Sequence, residues 1–256
     1  CDDRFVNFKY INRPNKGLVQ TLKDMEPMVK GKYLSLIYSD DIYTKERVIK
    51  QVQTLEDNQE YALCYGKMFG IDENSDLVKH YKSKYVKSGN IFDALLIRNF
   101  VTAPTVMMKT EVFNSVGGYD LKFVYDDYSL WLKIAHKHKI FFIDEELVYY
   151  RMHGNNVSTD IVRTISFTEQ VLLSWSNEKA FSSAIKRFYL RSFYNLARSG
   201  KENKEKTVTV SYSILNQDLH VNIQDEGEGI PLSNKIKENV NDEDLLKESG
   251  RGIILM

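Results

Sequence analysis

Hydrophobic and polar positions change their rhythm twice along this chain. Up to about residue 150, short apolar runs alternate with stretches of helical spacing, the arrangement of an α/β domain. Tyr33-Leu34-Ser35-Leu36-Ile37-Tyr38 reads as a buried strand. A helix follows over residues 45–57, with Val48, Val52 and Leu55 on one face. Residues 61–65 give the next strand, and the polar run 72–76 a loop. A short helix is expected at 91–98 and a strand at 105–109. Another short helix, 111–115, is closed by Gly117-Gly118. Residues 128–138 form a helix with Leu130, Trp131 and Ile134 facing inward, and 141–143 and 147–150 are two short strands.

From residue 162 to 198 the spacing is continuously helical. Leu172, Leu173, Trp175, Ile185, Phe188, Tyr189 and Tyr194 would form one apolar face or a helix pair. The charged run 200–206 reads as a linker or turn. Beyond it, 207–214 and 219–224 alternate apolar and polar residues around a hairpin signal at 215–218. The expected organisation is an α/β domain over 1–160, a helical extension over 161–200 and a second small module over 201–256.

Composition narrows the function classes. With 256 residues, 43% of them hydrophobic, the chain can build a substantial core. Its 35 basic and 35 acidic residues cancel, so no global nucleic-acid footprint is expected. Cys1 and Cys64 make no disulfide framework, which fits a reducing compartment. No apolar run approaches a membrane span and no signal peptide is apparent. The cytoplasm is the expected location, with the inner face of the membrane as the alternative.

The densest candidate chemistry follows the first strand. Asp40 and Asp41 stand at its carboxyl end, where open α/β sheets bind ligands. Two acids there can hold a hard divalent cation. Equally, Asp41 or Thr44 could cap the helix that begins near residue 45. A second acid pair, Asp126-Asp127, precedes another helix, where acids are also favoured by the helix dipole. Arg151 and His153 follow the last strand of this region, with cationic and small polar groups suited to a diphosphate.

In this order, Asn15-Lys16-Gly17, Gly31-Lys32-Tyr33, Ser39-Asp40-Asp41-Ile42, Gly117-Gly118-Tyr119-Asp120, residues 126–131 and residues 150–158 resemble a family 2 glycosyltransferase of the GT-A type. The resemblance covers about residues 10–160 and implies a Rossmann-like GT-A domain and an inverting, metal-dependent sugar transfer. By it, Asp41 and His153 bind Mg²⁺ or Mn²⁺ on the donor diphosphate. Asp40 lies near the donor ribose or sugar, Arg151 faces the diphosphate, and Asp127 is the catalytic base. Its partners would be a nucleotide-sugar donor and a saccharide or envelope acceptor. Asp126 stands where the family commonly has Glu. Family members begin about a hundred residues ahead of the acid pair, with a βαβ unit that binds the nucleobase. Only about forty residues precede Asp40 here, so that unit is expected to be missing and activity impaired.

The C-terminal segment carries Asp225-Glu226-Gly227-Glu228-Gly229 and then Gly250-Arg251-Gly252. Glycines let backbone approach a ligand, and a glycine pair opening a helix can present N–H groups to phosphate. As an ordered pair these motifs resemble the Bergerat-type ATPase of anti-sigma-factor serine kinases, an α/β sandwich that would here be partial. The resemblance implies that Asp225, Gly227 and Gly229 bind adenine, that Gly250, Arg251 and Gly252 form a phosphate lid, and that ATP and a sigma-factor-type protein are partners. Arg191 stands where that family's catalytic Glu is expected. The alternatives to sugar transfer are therefore an ATP-binding kinase-like module, or an inactive fusion of two fragments.

Overall fold

Two strands longer than their apolar patterns suggest organise the first part of the chain. The computed structural model describes residues 11–12, 14–81, 85–123, 127–152, 161–200, 208–215, 218–225 and 252–255. The chain divides into two compact units, residues 1–95 with 99–154, and residues 96–98 with 155–256.

The first unit runs α1 (Leu18–Met25), a 3₁₀ turn Glu26–Met28, β1 (Tyr33–Ser35), β2 (Ile42–Tyr43), α2 (Arg47–Asp57), β3 (Tyr61–Ile71) and β4 (Leu77–Tyr81). It continues with α3 (Phe92–Ile97), whose last residues fall in the second unit, and a 3₁₀ turn Ala103–Thr105. Then come β5 (Met107–Lys109), α4 (Thr110–Ser115), α5 (Asp127–Lys137) and β6 (Lys139–Arg151). The sheet order is β1-β5-β3-β6-β2, with β4 also on β3. Among the described residues of this sheet only β3 and β6 pair in parallel and the other pairs are antiparallel, so the fold is mixed α/β.

β6 replaces the two short strands expected at 141–143 and 147–150. Asp144-Glu145-Glu146 reads as a break, yet the backbone crosses it with a register shift opposite Gly66 and Lys67. The acids stay outside, Asp144 on Lys67 at 2.5 Å and Glu145 on Lys50. Gly66 is required at this bulge: a Cβ there would lie 2.6 Å from Leu147 Cδ1 and 2.9 Å from the Glu145 carbonyl oxygen. Leu55, Cys64, Met107, Ile143, Leu147 and Val148 form a core cluster around the central strands. α5 buries Tyr128–Leu132, Ile134 and Ala135, more than one face, and the Tyr128 hydroxyl donates to the Leu95 carbonyl at 3.0 Å.

α2 spans Arg47–Asp57 as its spacing predicts, but its buried stripe is Arg47, Gln51 and Leu55, while Val48 is 49% exposed. The i, i+4, i+8 repeat is a true helical face. Two of its members are polar, so hydrophobic spacing alone places the face on Val48 and Val52 instead.

The second unit holds α6 (Ile161–Leu173), α7 (Phe181–Gly200), β7 (Val208–Leu215), β8 (Asp218–Asp225) and β9 (Gly252–Leu255). The long helical stretch is thus a helix pair. β7 and β8 form the expected hairpin, and β9 adds antiparallel to β8.

Candidate functional site

Asp40 and Asp41 lie in the turn between β1 and β2, where the Asp41 N–H donates to the Tyr38 carbonyl at 3.3 Å. β2 then pairs with β6, Ile42 opposite Tyr149 and Tyr43 opposite Val148. This register brings the end of β6 alongside the acid pair, and the Arg151 N–H donates to Asp41 Oδ1 at 3.1 Å. Neither Asp41 nor Thr44 caps α2. Its N-cap is Glu46, with no side-chain cap, and the Thr44 hydroxyl donates to the Leu147 carbonyl at 3.2 Å. The capping alternative therefore falls.

Asp41 is 8% exposed and its Oδ2 has no hydrogen-bond partner. Burial pushes its carboxyl up to about 6. The neighbouring Asp40 charge adds to the rise, against the opposing Arg151 N–H and the Arg47 and Arg151 charges. An unpartnered buried carboxylate oxygen is costly, and this one fits a cation. Among the described residues no group of three or more His, Cys, Asp or Glu side chains could hold a metal. His153, the expected second ligand, lies outside the described residues, as does Asp126.

The Arg151 guanidinium is committed to the chain itself. Nε donates to the Asp40 carbonyl at 3.1 Å, Nη1 to the Asp72 and Glu73 carbonyls at 2.6 and 3.0 Å, and Nη2 to Ser75 Oγ at 3.0 Å. It ties the acid turn to the β3–β4 loop.

Arg47 is a residue that the sequence patterns did not single out. It is fully buried, with Nε on Gln51 Oε1 at 2.8 Å and Nη2 on Ser35 Oγ at 3.0 Å and the Val106 carbonyl at 3.1 Å. Its guanidinium lies 3.6 Å from the Tyr43 ring centroid, a cation–π contact. Burial lowers its pKa to about 10, against the opposing influence of Tyr43, Cys64 and Asp41. Gln51 passes the network on to the Thr105 carbonyl at 2.8 Å. The signal that could have found this pair was its four-residue spacing in line with Leu55.

Asp127 opens α5, its Oδ1 accepting the Tyr128 N–H at 2.6 Å. One turn on, Trp131 shares a small cleft with Tyr38, Leu36 and Tyr119, and its indole N–H has no partner. The cleft thus joins the helix that Asp127 opens to the segment leading into Asp40. Tyr119 is held from the other side. Its N–H donates to Glu26 Oε1 at 2.7 Å, while Lys23 and Lys133 donate to the Gly117 and Gly118 carbonyls. Phe100 and Tyr119 are both 7% exposed, hence core packing, and Tyr125 lies outside the described residues. Asp225 ends β8 opposite Val208, and Gly252 opens β9 opposite Gln224. Gly227, Gly229, Gly250 and Arg251 lie outside the described residues.

Comparison with known proteins adds descent to this geometry. The model of the glycosyltransferase-like family 2 matches residues 27–213. An uncharacterized glycosyltransferase of Methanocaldococcus jannaschii is 27% identical over 199 residues, 76% of this chain and 67% of that protein. An uncharacterized glycosyltransferase of Rickettsia felis is 26% identical over 175 residues, 66% of this chain but only 28% of its own length. Among solved structures, a mannosyltransferase of Pyrobaculum calidifontis in complex with GDP-Man and Mn²⁺ superposes with a TM-score of 0.47 at 10% identity. The overlap covers 74% of this chain and 61% of that one.

Proposed function

The chain belongs to the glycosyltransferase-like family 2 and is a glycosyltransferase, and from that premise we propose that it moves a sugar from a nucleotide-diphosphate donor to an acceptor hydroxyl with inversion at the anomeric carbon. The observation that carries the reading is Asp41, a buried carboxylate with one unpartnered oxygen, next in the chain to a second acid.

Asp41, with His153 as the proposed second ligand, would hold Mg²⁺ or Mn²⁺, which when bound offsets charge on the departing diphosphate. Asp40 faces the donor ribose or sugar. Arg151 serves the donor side by holding the turn on which both acids sit. Asp127 takes the proton of the acceptor hydroxyl. As that oxygen bonds to the anomeric carbon, the bond to the diphosphate breaks and its electron pair leaves with the diphosphate. The order of motifs and the family membership support these roles. For residues 205–256 the comparisons lend no support to an ATP-binding module, and the glycosyltransferase family match itself extends to residue 213, into β7.

Calorimetric titration of UDP and GDP, with and without Mn²⁺, tests the reading on the wild type and Asp41→Asn. Metal-dependent binding of UDP or GDP that Asp41→Asn abolishes is expected. Binding that ignores the metal or the substitution would overturn it. ADP binding lost in Asp225→Asn would move the function to the C-terminal segment.

A further inference from the structure

α7 runs for 20 residues without one acidic side chain, and it carries Lys186, Arg187, Arg191 and Arg198. In a chain whose charges sum to zero, that is a local concentration of one sign. The helix is also sorted by face. Ala184, Phe188 and Ser192 recur every four residues and are buried, as is Phe193. Ser183, Arg187, Leu190 and Tyr194 follow one another at spacings of four, three and four, and all are exposed. Leu190 is 41% and Tyr194 66% exposed. Lys186, beside Arg187, is half-buried.

The exposed stripe therefore sets a cation, an aliphatic side chain and an amphipathic aromatic in one line. Packing inside the unit uses the opposite face. Such a line matches the boundary of a bilayer, where apolar groups enter the headgroup layer and cations meet lipid phosphates. Among the described residues no helix is long and apolar enough to cross a membrane, so this contact would lie along the surface. We propose that the exposed face of α7, through Lys186, Arg187, Leu190 and Tyr194, docks on an anionic lipid surface. RNA would satisfy the cations but leave Leu190 in water, and the chain lacks the overall basic charge of a nucleic-acid binder. The inference is independent of the sugar-transfer reading.

Co-sedimentation of the full chain tests it, using phosphatidylcholine vesicles with about one-third phosphatidylglycerol against pure phosphatidylcholine. Partition is expected onto the anionic vesicles, weakened by high salt. Neutralising both Lys186→Gln and Arg187→Gln should lower partition roughly 25-fold, since each cation near such a surface contributes about fivefold. Leu190→Ser with Tyr194→Ser should lower it at low and high salt alike. Arg187, Leu190 and Tyr194 are exposed and Lys186 is half-buried, so circular dichroism should show an unchanged fold. No sedimentation, equal sedimentation of wild type and both double variants, or capture of polyuridylate RNA in place of vesicles would overturn the proposal.

Discussion

Replacing Asp41 by Asn should change how stability depends on pH, and the size of the change follows from the site. The Asp41 carboxyl is pushed up to about 6 from an ordinary 3.8, first by burial and then by Asp40. A raised pKa means that the folded state holds this proton more tightly than the unfolded chain. Its contribution is complete below 3.8 and is lost as pH rises through about 6. Each tenfold in that equilibrium is worth about 1.4 kcal/mol, so the whole effect is on the order of 3 kcal/mol. Between about pH 5 and about pH 7.5 the wild type should lose roughly 1.4 kcal/mol relative to the variant. Asn retains an oxygen for the Arg151 N–H, now 3.1 Å from Oδ1, and whatever its amide costs in place of Oδ2 does not titrate in this range. The assay is urea unfolding of both proteins at the two pH values without divalent metal. Parallel changes in their unfolding free energies would refute the reasoning.

Three further substitutions probe the frame around the acid pair. Arg151→Met removes the donors to Asp40, Asp72, Glu73 and Ser75. It should cost about 3 kcal/mol in urea unfolding and speed amide exchange in the 72–76 loop. Arg47→Ala empties a fully buried site and strips Gln51 and the Val106 carbonyl of a charged donor. A loss of about 4 kcal/mol is expected, read as a lower urea midpoint. Gly66→Ala drives a methyl against Leu147 and the Glu145 carbonyl. It should lower stability by about 2 kcal/mol, measured by thermal unfolding.

What the sequence made legible were elements whose signals were local. The helices α3, α4 and α5, the glycine turn after α4 and the β7–β8 hairpin lie within a few residues of their expected places. The turn at Asp40 and Asp41 was visible because it follows an apolar run. That run is a strand only over Tyr33–Ser35, and Ile37 beyond it is 52% exposed. Periodicity misled where a polar residue is buried by tertiary contact. Arg47 and Gln51 take the inward stripe of α2 because Ser35, Val106 and Thr105, distant in sequence, accept from them. It misled again at β6, where acids in mid-strand are held by lysines of other elements. The commitment of Arg151 to backbone carbonyls had no sequence signal, since Asp72 and Asp40 lie 79 and 111 residues upstream.

That last separation has a consequence for the order of events during synthesis. Asp41 and Arg151 are 110 residues apart. At ribosomal speeds of about 5–20 residues per second, Asp41 emerges roughly 5–20 s before the strand that anchors it. The acid turn cannot take its final geometry until β6 is made and joins the sheet at high contact order. A chain stopped short of residue 151 would own both carboxylates and yet have nothing to aim them with.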